Sequence, residues 1–273
     1  MSSKITIIGA GSVGSTIAYT LSSQDIASEI VLIDINKKKA EGEVLDIIQG
    51  TCFRDPISII AGDYEDARDS DIVIITSGIA RKPGQTRLEL TQTNVNILKS
   101  ITPEIVKAAP NALYLIVSNP VDIMTYVFGE HGDTSFIPWS GAYISGVSVD
   151  EYYDLEKKLG KDIEPIDKEA MLQYVQKSGG EIISKKGATF YAVSSSVCKL
   201  CSLLVASSES ISTVSTMMHG EYGIEDVCLS TLTLVGPNGV QGKVPMRMTK
   251  TEIEQLKKSA DALKEIIAQI DLN

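Results

Sequence analysis

Over the first 117 positions, short runs of β-branched and aliphatic residues alternate with longer stretches whose apolar side chains recur at helical spacing. The runs cover 4–8, 29–33, 57–61, 71–75 and 112–117; the helical stretches cover 15–22, 37–49 and 88–108. Because the runs are apolar throughout rather than alternating, they predict parallel strands covered on both faces by helices. From about position 149 the pattern changes. Helical spacing at 149–159, 168–178, 191–207 and 251–270 flanks two strand-like runs, 212–218 and 227–235, with turns at Gly220-Glu221-Tyr222-Gly223 and Gly236-Pro237-Asn238-Gly239. Thr249 and Glu252 stand at capping-box spacing ahead of the last helix, whose apolar residues are Ile253, Leu256, Ala260, Leu263, Ile267 and Ile270. The chain therefore reads as α/β, a doubly wound parallel sheet over 1–128 followed by an α+β domain over 129–273.

Directly behind the first apolar run stands Gly9-Ala10-Gly11-Ser12-Val13-Gly14, and Asp34 closes the second run. A G-x-G-x-x-G alone is weak, but here a strand precedes it, a helix follows it, and an acid lies at the expected distance. In a Rossmann domain Gly9 makes the tight turn, Gly11 lets a pyrophosphate approach the backbone, and Gly14 lets helix pack on strand. The helix N-terminus adds unpaired N–H groups and a positive dipole end. Asp34 would accept from the ribose hydroxyls and repel a 2′-phosphate, which selects NAD over NADP.

Composition narrows the possibilities. A chain of 273 residues buries a substantial core. Its formal charge of −10 argues against a nucleic-acid or anionic-membrane surface, so an anionic substrate must be drawn in by local positive charge. No run of eighteen apolar residues occurs. Met1 lies four residues from the first strand, which predicts no signal peptide and a cytoplasmic protein. Cys52, Cys198, Cys201 and Cys228 form no disulfide framework. Cys198-x-x-Cys201 has no second pair and no histidine at ligand spacing, so both thiols are expected in a buried helix and no metal is expected.

Candidate chemistry begins with the two histidines. His131, in Gly129-Glu130-His131-Gly132-Asp133, sits among glycines that would hold an imidazole on a loop; His219, at a strand end, reads as structural. Ala80-Arg81-Lys82-Pro83-Gly84-Gln85-Thr86-Arg87 places three cations on a glycine-containing loop beyond a strand's carboxyl end, where α/β ligands bind. Such a loop can act as a lid. Ser118-Asn119-Pro120 stands at another strand's carboxyl end.

Together with Ile33-Asp34-Ile35-Asn36-Lys37, Ser118-Asn119-Pro120-Val121-Asp122 and Tyr222-Gly223-Ile224-Glu225-Asp226-Val227, these motifs resemble the L-lactate and malate dehydrogenase superfamily. The resemblance runs through essentially the whole chain and is closest to bacterial-type L-lactate dehydrogenases. It implies reversible hydride transfer between NADH and a small 2-keto acid, a place in glycolysis or fermentation, and a homo-oligomer, tetramer or dimer. By the same resemblance His131 is the acid/base residue and Arg87 the lid arginine that polarises the carbonyl. Asn119, Arg81 and Thr189 meet the substrate. Gly9, Gly11, Val13, Gly14, Asp34, Lys39, Tyr64, Gly78, Ile79, Ser100, Val117 and Asn119 meet NAD.

Two departures matter. Lactate dehydrogenases commonly carry glutamine where this chain has Arg81, and malate dehydrogenases carry arginine there; the Ser118–Asp122 stretch and Thr189 look lactate-like. Lactate is the reading, malate the runner-up. The larger departure lies between the Ser-Asn-Pro motif and the histidine loop. There the family carries a segment with an aspartate that bonds the histidine and an arginine that grips the substrate carboxylate. Here Tyr126-Val127-Phe128 runs straight into Gly129, and no arginine lies between residues 88 and 246. This predicts impaired turnover, and keeps open an inactive NAD-binding or subunit-interaction protein.

Overall fold

The computed structural model describes residues 3–53, 55–79, 87–117, 127–144, 146–161, 163–206 and 208–271. Its first half alternates as the apolar runs require: β1 (Lys4–Ile8), α1 (Ser12–Ser23), β2 (Glu29–Ile33), α2 (Lys37–Gln49), β3 (Ser58–Ala61), β4 (Ile72–Ile75), α3 (Arg87–Ala108) and β5 (Leu113–Ile116). The strands form one parallel sheet in the order β3-β2-β1-β4-β5, with Ile5 opposite Ile30 on one side and Ile72 on the other. The order turns back at β1 and β4, so a crevice opens beyond their carboxyl ends. Ile5, Ile7, Ile30, Leu32, Ile72 and Ile74 are buried, and helices cover both faces.

The second half comprises β6 (Tyr143–Ile144), β7 (Val147–Ser148), α4 (Val149–Lys158), α5 (Lys168–Lys186), α6 (Tyr191–Val205), β8 (Ser210–His219), β9 (Glu225–Gly236), β10 (Gly239–Lys243) and α7 (Lys250–Ile267). β10-β9-β8 is an antiparallel sheet. Leu256 and Ala260 of α7 pack on its Val227 and Leu229 together with Phe128 and Phe136, whose rings meet edge-on with centroids 6.2 Å apart. α6 turns the other way: Val197, Cys198, Cys201 and Leu204 bury one helical stripe against α1 and extend the core of the parallel sheet.

Besides the short β6–β7 pair, which the sequence pattern does not predict, three elements differ from the sequence expectation. α1 starts at Ser12, directly on Gly11, rather than at 15. α5 runs through Gly179-Gly180 to Lys186, eight residues beyond the expected end. Neither glycine is crowded, each costs a helix only about 1 kcal/mol, and the stop is Gly187, with φ +85° and its N–H on the Ile183 carbonyl. β10, with its bulge between Val240 and Gly242, carries too little alternation to be read from sequence.

Candidate active site

The three glycines divide the labour as their chemistry demands. Gly9 has φ +110°, and a Cβ there would stand 2.6 Å from Thr76 Oγ1. A Cβ on Gly14 would lie 1.8 Å from the Gly9 carbonyl oxygen, so only glycine lets α1 sit this close to β1. At Gly11 a Cβ would meet nothing within 4 Å. The first and third glycines are thus required by the protein's own packing, whereas the second opens onto free space at the start of α1. Such a cradle fits a pyrophosphate, received by the helix N-terminus.

Asp34 closes β2 beside this loop. Its Oδ2 accepts from the Ala10 N–H at 2.6 Å and its Oδ1 from the Asn36 N–H at 2.8 Å. Each carboxylate oxygen keeps a lone pair, so the same side chain can brace the glycine loop and still accept from a diol. Asn36 then caps α2 by accepting from the Lys39 N–H, and Lys39 sits exposed in the first turn.

Residues that the sequence reading did not single out lock the other wall. The Thr76 hydroxyl, 3.0 Å from the Gly9 carbonyl oxygen and 3.2 Å from that of Ile8, and the Ser77 hydroxyl, which donates to Ile8 O at 3.1 Å, tie the end of β4 to the glycine loop. Asn94, buried in α3, accepts from the Ile79 N–H at 2.9 Å and so fixes the Gly78-Ile79 segment. Polar residues just past an apolar run were the available signal, because nothing else satisfies backbone groups at a strand end.

Gly9, Gly11, Val13, Gly14, Asp34, Gly78, Ile79 and Val117 therefore all come just after strand ends on one side of the sheet. Tyr64 stands three residues past β3, its hydroxyl pushed above its ordinary pKa by burial and, secondarily, by Glu104. Ser100 lies apart: it is exposed six residues beyond Asn94, about 9 Å down the helix axis, and its hydroxyl donates to Ile97 O. Thr189, exposed, precedes α6, whose Ser194 hydroxyl reaches the Val13 carbonyl. Residues 80–86 and 118–126, and with them Arg81 and Asn119, lie outside the described residues. Of Arg87 only the backbone is described, as the first residue of α3.

The histidine loop is built on the second half. Phe128 pairs with Phe136 and Gly129 with Ser230 of β9. Gly129 has φ +100°, and a Cβ there would stand 2.6 Å from the Ser259 hydroxyl of α7. Glu130 folds inward and is buried, its Oε1 accepting from the Thr134 hydroxyl at 3.0 Å. A Cβ at Gly132 would lie 2.6 Å from that same oxygen. With its neighbours packed down, His131 is presented outward and exposed. His219, at the end of β8, is exposed with its N–H on Glu221. Cys198 and Cys201 are buried in α6, and desolvation pushes the Cys198 thiol up to about 12 and raises that of Cys201. Among the described residues no group of side chains could hold a metal, and no helix is long and apolar enough to cross a membrane.

Two family models cover the chain: the lactate/malate dehydrogenase NAD binding domain over residues 3–136, and the α/β C-terminal domain of the same family over 115–271. An L-lactate dehydrogenase of Acetivibrio thermocellus is 40% identical, with 98% of each chain covered, and L-lactate dehydrogenase 1 of Clostridium acetobutylicum is 39% identical over 98% of each. Among solved structures, the minor L-lactate dehydrogenase of Enterococcus mundtii superposes with a TM-score of 0.92 at 30% identity, covering 100% of this chain and 99% of that one. The malate dehydrogenase of Archaeoglobus fulgidus in complex with NADH gives 0.85 at 30% identity, with 98% and 99% covered. The Acetivibrio alignment spans 312 positions and takes in 98% of this chain's 273 residues, so more than 39 of its positions have no residue here. With the glycine cradle, Asp34 and both domain models in place, the chain belongs to the lactate/malate dehydrogenase family and is an NAD-dependent 2-hydroxyacid dehydrogenase of the L-lactate dehydrogenase type.

Proposed function

We propose that this chain binds NAD(H) firmly and interconverts pyruvate and L-lactate far more slowly than its relatives do. The observation that carries the reading is the contrast between a complete glycine cradle and a chain that leaves more than 39 positions of its 312-position alignment unfilled, with no arginine between residues 88 and 246. Bound NADH supplies the hydride. The backbone N–H groups at the start of α1 hold the phosphates, and Asp34 holds the adenosine ribose, with Lys39, Tyr64, Gly78, Ile79 and Val117 lining the rest; Ser100, exposed farther along α3, is set apart from them. His131 gives the proton to the carbonyl oxygen while Arg87 stabilises the charge that develops there. Arg81, Asn119 and Thr189 form the substrate pocket.

The family's segment between the Ser-Asn-Pro motif and the histidine loop is the one the chain lacks, and with it goes the deep carboxylate-binding arginine. Truncating a hydrogen-bonded charge pair costs about 2–5 kcal/mol, which weakens the hold on any 2-keto acid. The lid cations Arg81 and Arg87 then contribute most of the positive charge. A dicarboxylate can engage both, which favours the malate reading for residual activity. We assign the chain to the cytoplasm as a homo-oligomer, with its boundary near Phe128–Gly129.

The test is calorimetric titration with NADH and NADPH, followed by steady-state reduction of pyruvate and oxaloacetate by wild type and Arg81→Gln. Expected are tighter NADH than NADPH binding, pyruvate turnover well under roughly 1 s⁻¹, and an oxaloacetate preference that Arg81→Gln erases. Binding without turnover of either acid would make the chain an NAD-binding subunit. Turnover near 10² s⁻¹, on the order of ordinary enzymes, would overturn the impairment.

A further inference from the structure

Between the histidine loop and α7 lies a polar cluster that the assigned chemistry does not use. The Glu130 N–H donates to Ser259 Oγ. The Ser259 and Thr134 hydroxyls, 3.2 Å apart, share a second hydrogen bond. The Thr134 hydroxyl is 3.0 Å from Glu130 Oε1, which closes a ring that begins and ends on Glu130. Ser259 is fully buried and the Glu130 side chain nearly so. Two hydroxyls, one N–H and one carboxylate supply the donors and acceptors such a ring needs, so the cluster resists rearrangement. A second tether reaches the same segment from the first turn of α7, where Glu252 accepts from the Ser140 N–H at 2.9 Å and from the Thr249 N–H at 2.7 Å. α7 therefore grips the loop segment near both ends. Beside the first grip, Gly129, with φ +100°, brings its backbone against the Ser259 side chain, and Gly132 lies against the Glu130 carboxylate.

We propose that Ser259 is a positioning residue for His131: through Glu130 and Thr134 it ties the loop to α7 and so helps to set where the imidazole stands. The inference rests on the assignment of His131 as the proton donor. It explains why α7 carries a fully buried serine between Leu256 and Ala260, on one helical face that also buries the tether Glu252. Leu256 and Ala260 pack the helix on β9, and the serine reads the loop.

The chain has two histidines, so imidazole-labelled protein gives two ring signals in an NMR spectrum, with His219 as an internal control. Ser259→Ala and Thr134→Val should move or broaden the His131 signal at fixed pH while His219 stays in place, and Thr134→Ser should restore the wild-type position. NADH affinity should stay within twofold in all three. Where pyruvate turnover is measurable, kcat should fall about tenfold with KM unchanged, the loss expected for one orienting hydrogen bond. Should Ser259→Ala fail to fold, Thr134→Val against Thr134→Ser carries the same comparison. A His131 signal that ignores both hydroxyls, or a Thr134→Ser signal displaced as far as that of Thr134→Val, would overturn the proposal. A signal that tracks the hydroxyls in a protein without turnover would uphold it and remove the catalytic reading instead.

Discussion

β4 and β5 are neighbours in one sheet, pair in register from Ile72 opposite Leu113 to Ile75 opposite Ile116, and are built from equally apolar sequences. Their surroundings are opposite. Every residue of β4 is buried, whereas Leu113, Tyr114 and Leu115 are half-buried and Ile116 is 57% exposed. The doubly wound dinucleotide fold ordinarily runs 3-2-1-4-5-6, and among the described residues this sheet ends at the fifth strand. Cofactor chemistry depends on the β1–β2–β4 side, which is complete. On the proposed function, substrate chemistry draws on the stretch beyond β5. The buried strand sits beside the glycine cradle, whereas the exposed one leads toward the stretch that the proposed function assigns to the acid.

The largest expected effect tests that contrast directly. Ile74→Ala removes a fully buried side chain from the sheet centre and should cost about 2–5 kcal/mol in denaturant unfolding. Ile116→Ala on the open strand should cost no more than about 0.5 kcal/mol. Equal costs would mean that β5 is covered in solution, for instance by another subunit.

Next come the glycines. Gly14→Ala drives a Cβ into the Gly9 carbonyl and should cost about 1–3 kcal/mol of stability as well as NADH binding. Gly11→Ala meets nothing, so its melting temperature should match wild type while NADH binds at least tenfold more weakly. If Gly11→Ala bound NADH normally, the cradle would not be where the pyrophosphate rests.

Asp34→Ala should act on selectivity more than on affinity, bringing NADH and NADPH to similar dissociation constants in calorimetry. It should also loosen the loop, since Asp34 braces the Ala10 N–H. The smallest effect concerns the thiols. With Cys198 held at about 12 and Cys201 raised by burial, neither is a thiolate at pH 8, so a thiol reagent should titrate Cys52 and, more slowly because desolvation raises its thiol too, Cys228 in native protein, and all four after unfolding. Rapid reaction of three or four in the native state would place α6 in an open, loosely packed form.

The parallel sheet is legible in the amino-acid sequence alone, because uninterrupted apolar runs behind turn residues admit few other partners. So is the nucleotide site, because the three glycines and Asp34 act within one βαβ unit, where spacing along the chain becomes spacing in space. Cys198 and Cys201 are legible for the same reason, as one stripe of a helix. Folding alone settles which glycines the protein's own packing requires and which one opens onto free space. That distinction depends on atoms of Thr76 and Gly9 brought together in three dimensions. Likewise Asn94 under Ile79, and Ser259 under Glu130 from 129 positions away, leave no trace in the sequence, since a hydrogen bond between distant segments imposes no periodicity on either.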